Sequence, residues 1–175
     1  NYPYKLITID FKKPSSSNRF NLLEGLKKVS EAKQLSASLW KNLNKSAIKD
    51  GGSFWNSSAE NVLTATFFTL LKNHRKQATI PHALAILLSY SLDDLVEFLS
   101  QNNQAKGLVS QLISSYKLGA SNQTSGVIGT LTNYISVLNT PENFWILSGK
   151  NNPVPNSEQE PSILLLGNDS TLSDS

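Results

Sequence analysis

The chain has 175 residues with no Cys, no Met and two His, which excludes disulfide frameworks, cysteine-ligated zinc and thiol nucleophiles and leaves little for imidazole chemistry. Its net charge of +3 is unevenly divided, with ten Lys/Arg against four Asp/Glu in residues 1–50 and six against nine in residues 51–175. A +6 amino-terminal third favours a polyanion or an acidic partner there, although for any single lysine a solvated surface is the commoner role.

This length suits one domain that folds without disulfides or metal. No apolar run approaches the roughly 18–20 residues of a membrane span, and the start lacks the features of a signal peptide. A chain that opens on Asn1 and contains no Met reads as a soluble piece of a longer protein. The missing cysteines fit a reducing compartment.

In chain order, Tyr4–Phe11 (YKLITIDF) alternates apolar and polar residues at period two and predicts a short strand. Lys12–Asn18 (KKPSSSN) is loop chemistry. From Lys27 to about Lys45, Val29, Ala32, Leu35, Ser36, Leu39, Trp40 and Leu43 recur at helical spacing. Lys33, Lys41, Lys45 and Lys49 fall on the opposite side as a basic stripe if that helix persists, and Asp50–Trp55 (DGGSFW) is expected to end it.

The segment from Phe54 to Gln77 predicts a central helix, apolar nearly all round, with Ser57 and Glu60 as a capping box at its start. Lys72, His74, Arg75 and Lys76 sit at its carboxyl end, where cations complement the helix dipole. Thr79 and Pro81 start the next helix, and Ser91 with Asp94 the one after. Ala105–Leu118 places Leu108, Leu112 and Tyr116 on one face, beside Val109 and Ile113. After a break at GASNQ, Thr124–Asn139 repeats the pattern with Val127, Ile128, Leu131, Tyr134, Ile135 and Leu138. Asn143–Leu147 is too short to classify, Ser148–Pro161 is a polar loop, and Ser162–Asp169 (SILLLGND) predicts a buried strand before a frayed tail.

Two lone strands at opposite ends of a bundle do not make a stable sheet, so they point to a sheet of a parent protein interrupted by a helical insertion whose ends lie close together. The predicted fold is mainly α: about six helices inserted between two short terminal strands. Residues 1–18 are strand and loop of the parent sheet, 19–148 the helical domain, and 149–175 a polar loop and the returning strand.

Catalytic constellations are missing. His74 and His82 have no carboxylate at ligand spacing, and Asp93, Asp94 and Glu97 read as helix surface. Gly149-Lys150 lacks the upstream Gly of a P-loop and has Asn151 where the hydroxyl belongs, so it offers no ATP site. LLLGND is only superficially like a Walker B strand. Trp40, Trp55 and Tyr116 among basic residues suit stacking on single-stranded nucleic acid, yet at helical spacing aromatics are more often core. No helix carries a base-reading cluster, so any DNA contact would be to the backbone.

Tyr4–Leu26 resembles the segment of TraG/TraD-type type IV coupling proteins, the conjugative transfer ATPases, in which a strand leads through a Pro- and Ser-containing loop into an F-N-P-L-like motif. Here that motif is Arg19, Phe20, Asn21, Leu22 and Leu23, followed by Glu24 and Gly25, with Leu22 where the family commonly has Pro. Phe54, Trp55, Glu60, Val62 and Leu63 match the family's next helix, and SILLLGN its returning motor strand. The likeness is closest to the Bacteroidetes-type TraG proteins and covers nearly the whole chain. It implies the all-alpha domain of a hexameric, membrane-anchored P-loop motor, on the cytoplasmic face of the bacterial inner membrane, that engages the relaxase, other relaxosome proteins or single- or double-stranded DNA. It further implies that ATP and Mg belong to the motor, and that this piece is non-catalytic, holds no cofactor or metal, and is monomeric when isolated. Candidate polyanion-facing residues are Lys33, Lys41, Lys45, Lys49, Lys72, Arg75 and Lys76. The alternative is a free-standing helical nucleic-acid-binding or protein adaptor module; a hydrolase has almost nothing behind it.

Overall fold

The computed structural model describes residues 5–44, 54–149 and 162–167. Among these the order is β1 (Lys5–Ile9), α1 (Val29–Leu43), α2 (Phe54–Asn73), α3 (Ile80–Ser89), α4 (Leu92–Ser100), α5 (Asn103–Leu108), α6 (Ser110–Lys117), α7 (Ser121–Ile135), α8 (Pro141–Leu147) and β2 (Ser162–Leu166). Short 3-10 turns occupy Pro14–Ser16, Arg75–Gln77 and Ser136–Leu138. No helix among the described residues is long and apolar enough to cross a membrane.

α2 is the axis of the bundle, as its all-round apolar sequence requires. Val62, Leu63, Phe67, Phe68 and Leu70 are buried, with α1, α3, α4, α5 and α7 packed around them. The buried hydroxyls of Thr64 and Thr66 donate to the carbonyls of Glu60 and Val62, each at 2.9 Å, so these two polar side chains are satisfied by the turn below, whereas the buried Thr69 hydroxyl has no partner among the described residues. On α1, Ala32, Ser36 and Trp40 are the buried stripe, and the Trp40 ring meets Tyr134 of α7 edge-on at 5.3 Å.

Caps set several boundaries as expected. The Thr79 side chain accepts from His82 N–H, and that of Ser91 from Asp94 N–H. The Ser57 and Glu60 capping box is corrected: α2 already runs through Phe54 and Trp55, so Ser57 lies inside it. Tertiary packing extends this end, because the Trp55 ring lies over Gly126 of α7 so closely that a Cβ there would stand 2.8 Å from it.

The single helix expected over Ala105–Leu118 is two. Val109 leaves helical geometry at ψ 15°, its N–H bonding the Lys106 carbonyl, while the Ser110 hydroxyl takes the Gly107 carbonyl at 3.2 Å. A low-propensity Gly and a competing Ser side chain explain the break. The GASNQ interruption is narrower than predicted, since Gly119 turns at φ +88° and α7 starts at Ser121. Asn143–Leu147 belongs to α8, capped by Thr140 with Pro141 in its first turn. These changes raise about six helices to eight among the described residues.

The strands pair with each other, parallel, in the register Lys5↔Ser162 through Ile9↔Leu166. The ends of the helical excursion therefore do lie together. The far edge of β1 is sealed by its own loop: Thr8 exchanges bonds with Asn18 at 2.7 and 2.8 Å, and Asp10 with the Ser17 hydroxyl at 2.7 Å each way. β2 has no neighbour on its other side among the described residues. The expectation of a buried strand is accordingly corrected, for Ile163, Leu164 and Leu165 are about half exposed and Leu166 more so.

Candidate functional site

The chain passes from strand to bundle at Arg19–Leu23. Phe20 N–H donates to the Ile146 carbonyl at 2.8 Å and its own carbonyl accepts from Gly149 N–H at 3.1 Å, so the entrance is bonded to the exit at the end of α8. The Arg19 guanidinium lies 4.4 Å from the Trp145 ring centroid and donates to the Trp145 carbonyl at 2.9 Å and the Ser148 hydroxyl at 2.8 Å. Arg19 is thus a structural cation.

Asn21 sets the turn that follows. Its Oδ1 accepts from Leu23 N–H at 3.0 Å, and its Nδ2 donates to the Ala78 carbonyl at 2.8 Å, fastening the turn to the corner between α2 and α3. Phe20 and Leu23 are buried in the core, and Gly25 turns the chain at φ +89°, a left-handed conformation that favours glycine. Leu22 needs no proline's rigidity because Asn21 holds the turn from both sides. Glu31 then begins α1 by accepting from Lys27 and Lys28 N–H at 2.6 and 3.1 Å, which holds its carboxyl below the usual glutamate range.

Between this turn, the end of α2 and the α8 exit lies an open cavity of about 710 Å³. Lys27, Lys72, Arg75 and Lys76 line it, with Glu24 as the one carboxylate among the described residues. Lys72 Nζ donates to the Lys27 carbonyl at 2.9 Å and lies 5.3 Å from the Phe68 ring centroid, so its position is fixed. Arg75 and Lys76 are exposed on their 3-10 turn, and their side chains have no hydrogen-bond or ion partner among the described residues. Four cations around one concavity suit phosphate or carboxylate groups.

Three of the seven candidate lysines and arginines, Lys72, Arg75 and Lys76, are therefore gathered in one place. Lys33 and Lys41 are exposed on α1 and do not line the cavity. α1 ends at Leu43, so its share of the expected stripe is those two residues, and Lys45 and Lys49 lie outside the described residues. Lys27 was missed: it precedes the helical repeat and carries no periodic signal, and only the fold brings it to Lys72.

The histidines have structural partners. His74 Nε2 is 2.7 Å from Gln101 Oε1, and His82 Nδ1 is 2.8 Å from the Thr79 hydroxyl. The Tyr116 hydroxyl donates to Asp93 at 2.8 Å, which raises its pKa above the usual tyrosine value. Trp40 is core and offers no stacking platform, whereas Trp55 packs one edge on Gly126 and remains 40% exposed. No group of three or more His, Asp or Glu suited to a metal occurs among the described residues.

Residues 2–151 match a family model described as Type IV secretory system Conjugative DNA transfer. Searches of curated proteins and of solved structures return no match.

Proposed function

We propose that this chain, which belongs to the family of type IV secretory system conjugative DNA transfer proteins, supplies a substrate-recognition domain of a TraG/TraD-type coupling protein. The observation that carries this reading is the cavity where Lys27, Lys72, Arg75 and Lys76 converge beside the turn that joins strand to bundle. Such a surface engages DNA phosphates, or acidic patches of a relaxase or relaxosome protein, by charge and without reading bases. It binds and does not cleave.

The parallel β1–β2 pair supports a domain inserted into a larger sheet. β1 is sealed on its outer edge, while β2 has an open side and exposed leucines, so further strands of a motor would add beside β2. In that arrangement residues 1–18 and 149–175 belong with the motor and 19–148 form the reader. ATP and Mg are the motor's, as are the hexameric assembly and the anchor at the cytoplasmic face of the inner membrane.

The test is binding of the purified chain to a labelled single-stranded oligonucleotide and, separately, to the relaxase of its own element, over low to moderate salt. Four phosphate contacts at about −0.7 each give a slope of log K on log salt near −3 for single-stranded DNA. Arg75→Glu with Lys76→Glu should lower affinity at least about tenfold and flatten that slope. Lys33→Glu with Lys41→Glu should do less. Unchanged binding in the Arg75/Lys76 variant would remove the cavity from the interface; no binding to either partner would remove the recognition role and favour the adaptor alternative.

A further inference from the structure

On the other side of the first turn of α3 lies a second open cavity, of about 760 Å³, between α3, α4 and the end of α2. Its chemistry is opposite. Asp94 and Glu97 contribute two carboxylates, Tyr90, Phe98 and His74 contribute rings, and among the described residues no Lys or Arg lines it. His82 lines both cavities and so stands on the wall between them.

The rings are organised. His74 stacks on Phe98 at 5.8 Å and 24°, held by its bond to Gln101, and Tyr90 meets Phe98 edge-on at 6.2 Å. Phe98 is buried and supports the other two, while Tyr90 is 47% exposed and presents its ring to solvent. Asp94 Oδ2 accepts from the Ser91 hydroxyl at 2.6 Å, which fixes its carboxylate at the start of α4. Glu97, one turn further along, is exposed and has no hydrogen-bond or ion partner among the described residues.

We infer that this cavity is a binding site for a cationic side chain, an arginine above all, on a segment of a partner protein. A guanidinium is planar, stacks on an aromatic face and pairs with carboxylates through its fixed fork, and this cavity is lined by both kinds of group, the Tyr90 ring at the end of α3 and Asp94 and Glu97 on α4. Its size admits the side chain together with flanking backbone. Phosphate is disfavoured here, because the two carboxylates that line the cavity repel it. The site is independent of the basic cavity: one takes a polyanion, the other a cationic polypeptide.

The probe is an acetylated, amidated Ser-Arg-Gly-Arg-Ser peptide, with its citrulline counterpart as an uncharged isostere, titrated into the full chain by heteronuclear NMR and fluorescence anisotropy. The arginine peptide should shift the amide signals of α3 and α4 around Tyr90, Glu97 and Phe98, and the citrulline peptide should not. Glu97→Gln and Tyr90→Ala, both at exposed positions, should each weaken binding about three- to tenfold, with helical content unchanged by circular dichroism. Arg75→Glu with Lys76→Glu, beside the lining residues His74 and Gln77, adds negative charge and should leave the peptide affinity unchanged or raised, never lowered. Equal binding of the citrulline peptide, shifts elsewhere on the chain, or full affinity in both Glu97→Gln and Tyr90→Ala would each overturn the site. So would displacement of the peptide by single-stranded DNA from those same residues.

Discussion

Gly149 donates its backbone N–H to the Phe20 carbonyl at 3.1 Å, and a Cβ on Gly149 would stand 2.4 Å from the Phe20 nitrogen. The obstacle is backbone, bonded on its other side to Ile146, so it has nowhere to move. Gly149→Ala should therefore cost about 2–3 kcal/mol in chemical denaturation, the upper range for overpacking. A loss below about 0.5 kcal/mol would show that entrance and exit are not closely apposed.

Gly126 offers the contrasting case, because its obstacle is the Trp55 ring, a side chain that is 40% exposed and can swing outward. Replacing a helical Gly by Ala also gains about 1 kcal/mol of propensity. Gly126→Ala is expected to change stability by less than about 1 kcal/mol while altering Trp55 fluorescence. Substitution costing several kcal/mol would mean that the Trp55 contact anchors the start of α2 more firmly than its exposure indicates.

Glu31 gives a pH dependence whose sign is fixed. Its folded pKa lies below the ordinary value of 4.5 because Lys27 and Lys28 N–H bond the ionised form. A depressed carboxylate stabilises the fold above its unfolded pKa, and that contribution is lost as pH falls through the folded pKa. Glu31→Gln should be less stable than the natural chain near neutrality, and the gap should close in acid. Equal stability of the two chains at every pH in parallel melts would show that Glu31 does not cap α1.

Much of the fold was legible because local chemistry decided it. Thr79 and Ser91 announce helix starts through their own side chains, and the apolar periodicity of α1, α2 and α7 survives folding unchanged. Failures occurred where distant residues decide. Ser57 and Glu60 satisfy the capping pattern, yet Trp55 finds Gly126 and carries the helix past them. Thr140-Pro141-Glu142 was a readable start for α8, overlooked because the helix is too short for periodicity. The candidate site divided on the same line: Lys72, Arg75 and Lys76 are neighbours in sequence, whereas Lys27 joins them only through the turn at Asn21.

The bond between Phe20 and the end of α8 also bears on the order in which the molecule assembles. In the unfolded chain, Ile7 and Leu164 sit at opposite ends of nearly the whole polypeptide, and closing so long a loop is entropically costly. Once Phe20 is held by Ile146 and Gly149, only two short connections remain to be closed. The logarithmic dependence on loop length makes that closure easier by about 1–2 kcal/mol. Strand pairing is thus expected to follow the building of the bundle, and a lesion at residues 19–23 or 146–149 to weaken the pairing of the strands.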